Sequence, residues 1–374
     1  MALAAPAART ITGTDGRVLL FSATQFTAEI CDGDACFICG APRGSKKFNN
    51  EHVVPRWVLK RYNLFAEAIT LPNGAQQHYG TYVMPCCAEC NSLLGDRIET
   101  PISQLLDGGF DAIVARLNEK TIAALYVWLC LLFVKTHLKD RAYRVHKDFR
   151  DGDARIADDY FWPEMHHLHC VARAPYVGAV ISPDIIGTIR WYRIDDSVVA
   201  GGFDWLDLSN EQTIAIRLGD FGLICVLTDA GATAHALRDR LEAVGDATLT
   251  VIQLRELAAR LGVANSDVMN RPAFGTLVLK TDPERVLLWT EHDDVPEFRP
   301  LDMEKLGSAM DYALHSHLGG IEINGEREPR KVQALLRTGG ASFLFDEKGA
   351  FMRRVTFAAV DPKRDPSASG EAKS

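Results

Sequence analysis

Two cysteine pairs of identical spacing constrain this chain more than any other feature: Cys36 and Cys39 in "CFIC", and Cys87 and Cys90 in "CAEC". A knuckle turn points residues i and i+3 to one side. Each pair therefore presents two thiolates, and the two pairs together complete a tetrahedral four-thiolate zinc site. Such a metal closes the loop 40–86 without requiring a large core inside it. The i, i+3 spacing favours Cys87 over its neighbour Cys86, which remains an alternative ligand, as does the more distant Cys31. A redox dithiol at Cys36 and Cys39 is the competing reading, but no βαβ pattern of the thioredoxin kind surrounds it. Cys130, Cys170 and Cys225 stand alone and read as small buried apolar residues.

Inside that loop, "FNNEHVVPRWVL" sets Glu51 beside His52. A helix is expected from about Cys87 through "CNSLLGDRIE". If a metal draws the two segments together, Asn91 faces the Glu-His pair. One imidazole, one carboxylate and one amide oxygen in a small space suit phosphodiester hydrolysis: a hard cation takes oxygen ligands, and a neutral histidine takes a proton from the attacking water. The surrounding stretch 41–64 carries Arg43, Lys46, Lys47, Arg56, Lys60 and Arg61 against the single acid Glu51. These are candidate phosphate contacts, with a solvated surface as the plain alternative. The chain as a whole has 41 basic and 49 acidic residues, a formal charge of -8, so any nucleic-acid surface must be local.

The order "CFIC", "NNEHVVPRW", "PCCAECNSLLG" resembles the HNH endonucleases, the ββα-metal nucleases whose zinc-knuckle members carry two CxxC pairs around an Asp-His or Glu-His. The likeness covers residues 36–99. It implies an N-terminal ββα-metal module with a structural zinc on Cys36, Cys39, Cys87 and Cys90. It further implies His52 as general base and a catalytic Mg or Mn ion on Glu51 and Asn91, with DNA rather than RNA as substrate. Two positions depart from the family pattern. The middle asparagine would fall near Tyr82, with Asn73 the nearest one available, and the closing histidine is Asn91.

The rest of the chain sets the fold class: α+β, with the N-terminal module followed by a helical segment and a mixed α+β region. Expected divisions are 1–100 for the zinc-stabilised module with its N-terminal strands, 101–280 for a helical and β companion domain, 281–361 for a small α+β region, and 362–374 for a disordered tail. The stretch "IQLRELAARLGVANSDVMNRPAFG" looks like the companion region of uncharacterised bacterial HNH proteins. The apolar run "TIAALYVWLCLLFV" falls short of the ~20 residues of a spanning helix and predicts a buried one. "MALAAPAARTITG" lacks the basic leader and long apolar core of a secretory signal. A cytoplasmic protein with reduced thiols and no membrane partner is expected.

Other histidines weigh less. "EMHHLHC" puts His166 with His169 and Cys170 on one helical face, a candidate second metal site. His78 is a reserve ligand or phosphate contact, and His137 and His146 are expected at the surface or capping a helix. Three classes of function follow: a metal-dependent nuclease, a non-catalytic zinc module binding nucleic acid or protein, and a redox or structural metal protein. A nuclease of this kind suits mobile elements, restriction or phage defence, alone or with a protein partner or second copy.

Overall fold

A computed structural model describes residues 9–195, 201–281, 284–320 and 329–353. The chain is mixed α+β and divides into two compact units. The first comprises 1–108, 112–187 and 272–293, and the second 109–111, 188–271 and 294–374. The expected cuts were at 100 and 280; the first compact unit also takes in the apolar helix and a returning hairpin. The tail 362–374 lies outside the described residues.

The first unit opens with β1 (Ile11–Thr12) and β2 (Val18–Leu20), an antiparallel pair turning at Asp15 and Gly16. Next come β3 (Phe48–His52) and α1 (Arg56–Arg61). A hairpin of β4 (Ala68–Thr70) and β5 (Gln76–His78) follows, turning through "PNG" where Gly74 has φ 73°. β6 (Val83–Cys87) then returns antiparallel to β3, pairing Phe48 with Cys87 and His52 with Val83. It runs directly into α2 (Ala88–Leu94), so the expected order of strand, strand and helix is present. Asn73 donates to the Arg144 carbonyl at 2.8 Å and accepts from the Ala75 amide, and so steadies the β4–β5 turn. Tyr82, where the family pattern would have its asparagine, is fully buried, and its carbonyl extends the β3–β6 ladder by accepting from the Val53 amide.

The apolar run lies in α3 (Glu119–Asp140), started by a capping box between Asn118 and Thr121. Among the described residues it is the one helix long and apolar enough to cross a membrane, and most of it is enclosed by protein. An apolar surface all round is what a central helix needs. Its polar members Lys135, Thr136, His137 and Asp140 are buried as well. His137 is thus inside rather than at the surface, its Nδ1 donating to the Phe133 carbonyl at 2.7 Å, whereas His146 is exposed as expected. α4 (Trp162–Ala172) packs against α3, and the short strand Val180–Ile181 pairs parallel with Arg285–Glu291 of the returning hairpin.

The second unit is built on a four-stranded antiparallel sheet in the order Ile189–Arg193, Phe221–Val226, Thr213–Leu218, Phe203–Leu208. The two central strands, "TIAIRL" and "FGLICV", are buried along their whole length, Arg217 included, whose Nε donates to the Gly219 carbonyl at 2.9 Å. The helix Val251–Ser266 covers the sheet behind a Thr250–Gln253 capping box. Arg255 forks onto Asp204 with two bonds of 2.7 Å. Within the expected small α+β region of 281–361 lies the helix Met303–Leu314. Further on, Phe345 and Phe351 form an isolated antiparallel bridge, and residues from 354 lie outside the described ones.

Candidate functional site

The thiol sulfurs of Cys36, Cys39, Cys87 and Cys90 all lie within 4.8 Å of one another, placed to hold a metal ion. This is the set that the paired spacing selected. Each half is made by a local device. Cys87 caps α2, its Sγ accepting from the Cys90 amide at 3.4 Å. After Cys39 the chain turns through Gly40, whose φ of 74° and amide bond to the Cys36 carbonyl close the knuckle. A Cβ at Gly40 would meet the Phe21 ring at 2.5 Å, so only glycine fits. Cys86, on the other face of β6, is left out of the cluster although its Sγ is 3.9 Å from that of Cys36. The thiols cannot all ionise unaided. Hydrogen bonds from its neighbours drive Cys36 down, and the Cys36 contact pushes Cys39 up to about 12. A bound cation relieves that competition.

The "EMHHLHC" helix supports this cluster and forms no second one: among the described residues the four cysteines are the sole group with metal-ligand placement. His169 Nε2 donates to the Phe37 carbonyl at 2.6 Å, and Arg173 Nε donates to the Ile38 carbonyl at 2.6 Å. Both carbonyls lie between Cys36 and Cys39. His166 Nε2 is spent on the Phe21 carbonyl at 2.8 Å. Arg173 is fully buried, and burial lowers its pKa while Cys170, Tyr176, Cys39 and Cys90 pull the other way. An outer shell of this kind orients ligands and offsets the negative charge of thiolates. Arg173 was not legible as a site residue, because its partners are backbone carbonyls more than 130 positions away.

Strand geometry separates the Glu-His pair. Adjacent strand residues point to opposite faces, so Glu51 and His52 do not enter one small space together. Glu51 turns into the core. Its Oε1 accepts from Lys135 Nζ at 2.8 Å, and the same ammonium reaches Glu99 Oε1 at 3.4 Å and the His52 carbonyl at 2.8 Å. Lys135 is 0% exposed. Burial raises the Glu99 pKa, while its attraction to Lys135 works against the rise. Leaving one partner of such a buried set unpaired costs about 3–5 kcal/mol, so the triad holds β3 firmly against α3. Asn91 reaches β3 at Asn49, its Nδ2 donating to Asn49 Oδ1 at 2.8 Å. Glu51 is therefore not the free metal ligand that was expected, because the lysine on α3 holds its carboxylate, while Asn91 spends its Nδ2 rather than its oxygen on Asn49.

His52 is half-buried, with the Phe65 ring edge-on at 6.3 Å. Burial lowers its pKa below the ordinary 6.5, as does the nearby charge of Arg56; Glu51 pulls upward and Lys135 downward. At neutral pH the imidazole is thus uncharged and able to accept a proton. His78 is exposed, its Nδ1 bonded to the Ala66 carbonyl at 2.8 Å within the β4–β5 hairpin.

The six basic residues divide. Lys46 pairs with Glu89 at 2.6 Å, Arg43 lies 3.9 Å from Asp34, and Arg61 donates to the Leu106 and Ser103 carbonyls. Lys47, Arg56 and Lys60 are exposed and make no ion pair among the described residues. No protein-family model, curated protein or solved structure matches this chain.

Proposed function

We propose that the first unit carries an HNH-type nuclease module that hydrolyses phosphodiester bonds in DNA, organised by a structural zinc and using His52 as general base. The observation that carries this reading is the placement of His52, half-buried at the end of β3, on a strand pair whose far end joins a four-cysteine cluster. Zinc fits that cluster. Tetrahedral Zn–S bonds of about 2.3 Å put sulfurs about 3.8 Å apart, and Cys39 and Cys87 stand 3.7 Å apart. In the proposed reaction His52 accepts a proton from water as the water oxygen bonds to phosphorus, and the departing sugar oxygen leaves with a proton from solvent. Arg56, Lys47 and Lys60, exposed and without an ion pair among the described residues, are the cations offered to phosphate oxygens.

Catalytic Mg or Mn was expected on Glu51 and Asn91. The residues do not fit that ion as a pair, since the Glu51 carboxylate is held in the core by Lys135 while Asn91 donates its Nδ2 to Asn49, and no step is assigned to it. The same observation favours a second reading, a zinc-organised module that binds nucleic acid without cutting it. Nicking of supercoiled plasmid, abolished by His52→Ala at unchanged zinc content, supports the first reading; tight binding with no nicking supports the second.

Two further outcomes are expected. A base must be uncharged, so the cleavage rate should rise with pH through the His52 pKa and level off above it, with half-maximum below pH 6.5. Arg56→Gln removes a charge that lowers this pKa, so the rising limb should move to higher pH, as measured by rate against pH. Lys47→Ala with Lys60→Ala should weaken DNA binding across sequences and flatten the plot of log affinity against log salt by about 2, each phosphate contact contributing ~0.9. The pair Lys46 and Glu89 is already neutralised, so Lys46→Ala should change that slope less.

A further inference from the structure

Lys135 makes three contacts with its three ammonium protons: a Glu51 carboxylate oxygen, a Glu99 carboxylate oxygen and the His52 carbonyl, at 2.8, 3.4 and 2.8 Å. Two carboxylates and a backbone carbonyl are the oxygen set that a hard divalent cation would take. Here they surround a lysine that is 0% exposed, carried on a helix buried through its centre. From this geometry we infer that Lys135 is the resident cation of the Glu51 site, a fixed ammonium standing where a divalent ion was expected.

Two consequences follow. First, the chain holds no exchangeable divalent ion on Glu51. Second, Lys135 is a positioning residue: its bond to the His52 carbonyl fixes the end of β3 and with it the place of the imidazole. The second consequence rests on the nuclease reading; the first does not. An ammonium is a weaker centre of charge than a divalent ion, but it cannot be removed by a chelator. Phosphodiester cleavage by this module should then proceed without added Mg²⁺ or Mn²⁺, with the exposed Arg56 supplying positive charge outside the core.

The test is Mn²⁺ binding by the zinc-loaded full chain, followed by electron paramagnetic resonance, with nicking of supercoiled plasmid measured in chelator-treated buffer. Wild type should bind no Mn²⁺ that depends on Glu51, so Glu51→Gln should leave its Mn²⁺ titration unchanged. Lys135→Met, which vacates the oxygen set, should gain one Mn²⁺ per chain, and Lys135→Met with Glu51→Gln should lose it again. A wild-type chain that binds one Mn²⁺, lost in Glu51→Gln, overturns the assignment, as does a folded Lys135→Met that gains none. Should Lys135→Met fail to fold, the comparison of wild type with Glu51→Gln still decides. The nicking arm separates the two proposals. No nicking under any ion, together with no Glu51-dependent Mn²⁺, sinks the nuclease reading and leaves the lysine assignment standing.

Discussion

Cys90→Ser is expected to release zinc and unfold the first unit. Structural zinc supplies folding free energy directly, about 10 kcal/mol or more in small zinc modules at neutral pH, whereas whole domains are stable by only about 5–15 kcal/mol. Cys90 is one of four thiolates and also the residue whose amide closes the knuckle on Cys87 Sγ. Its loss removes a ligand and loosens the start of α2 together. The measurement is zinc content by mass spectrometry beside a thermal melt. Zinc well below one per chain and a loss of the cooperative melt of this unit are expected. Cys86→Ser, outside the cluster, should retain full zinc, and equal behaviour of the two variants would show that the ligand set has been misassigned.

His52→Ala is expected to lower the cleavage rate by about 10²–10⁴-fold, the usual contribution of a general base, while leaving DNA affinity within a few-fold. The separation follows from position. His52 is half-buried at a strand end, whereas Lys47, Arg56 and Lys60 are exposed and make no ion pair among the described residues. The fold should tolerate the change, since β3 is held through the Glu51–Lys135 bond and through Lys135 on the carbonyl of residue 52, which alanine keeps. Single-turnover cleavage at saturating enzyme reads the rate, and filter binding reads the affinity.

How far the site could be read from the residues follows from range. The four-cysteine cluster was legible because each half is local: spacing of three along the chain produces the knuckle, and Gly40 and the start of α2 complete it. The strand, strand and helix order around Glu51 and His52 was legible for the same reason. The electrostatics of Glu51 were not, because its partner lies 84 positions away on α3. A single lysine inside "LCLLFVKTHLKD" reads as one charge near the end of an apolar run, and only packing turns it inward. The histidines of "EMHHLHC" were only a lesser candidate for a metal, and no metal cluster forms there among the described residues. Their helical spacing was read rightly, but burial assigns His166 and His169 to carbonyls of the knuckle and its approach. The reach of the ion-pair network from Glu51 and Glu99 to Lys135, beyond the expected cut at residue 100, was not legible for the same reason of range.

The most direct test of the central claim is nicking of supercoiled plasmid by the zinc-loaded chain beside its His52→Ala variant, the two preparations matched in zinc content and melting temperature. The account predicts open-circular product from the wild-type chain and at least a ~10²-fold slower rate from the variant. Equal cleavage by both proteins would contradict it.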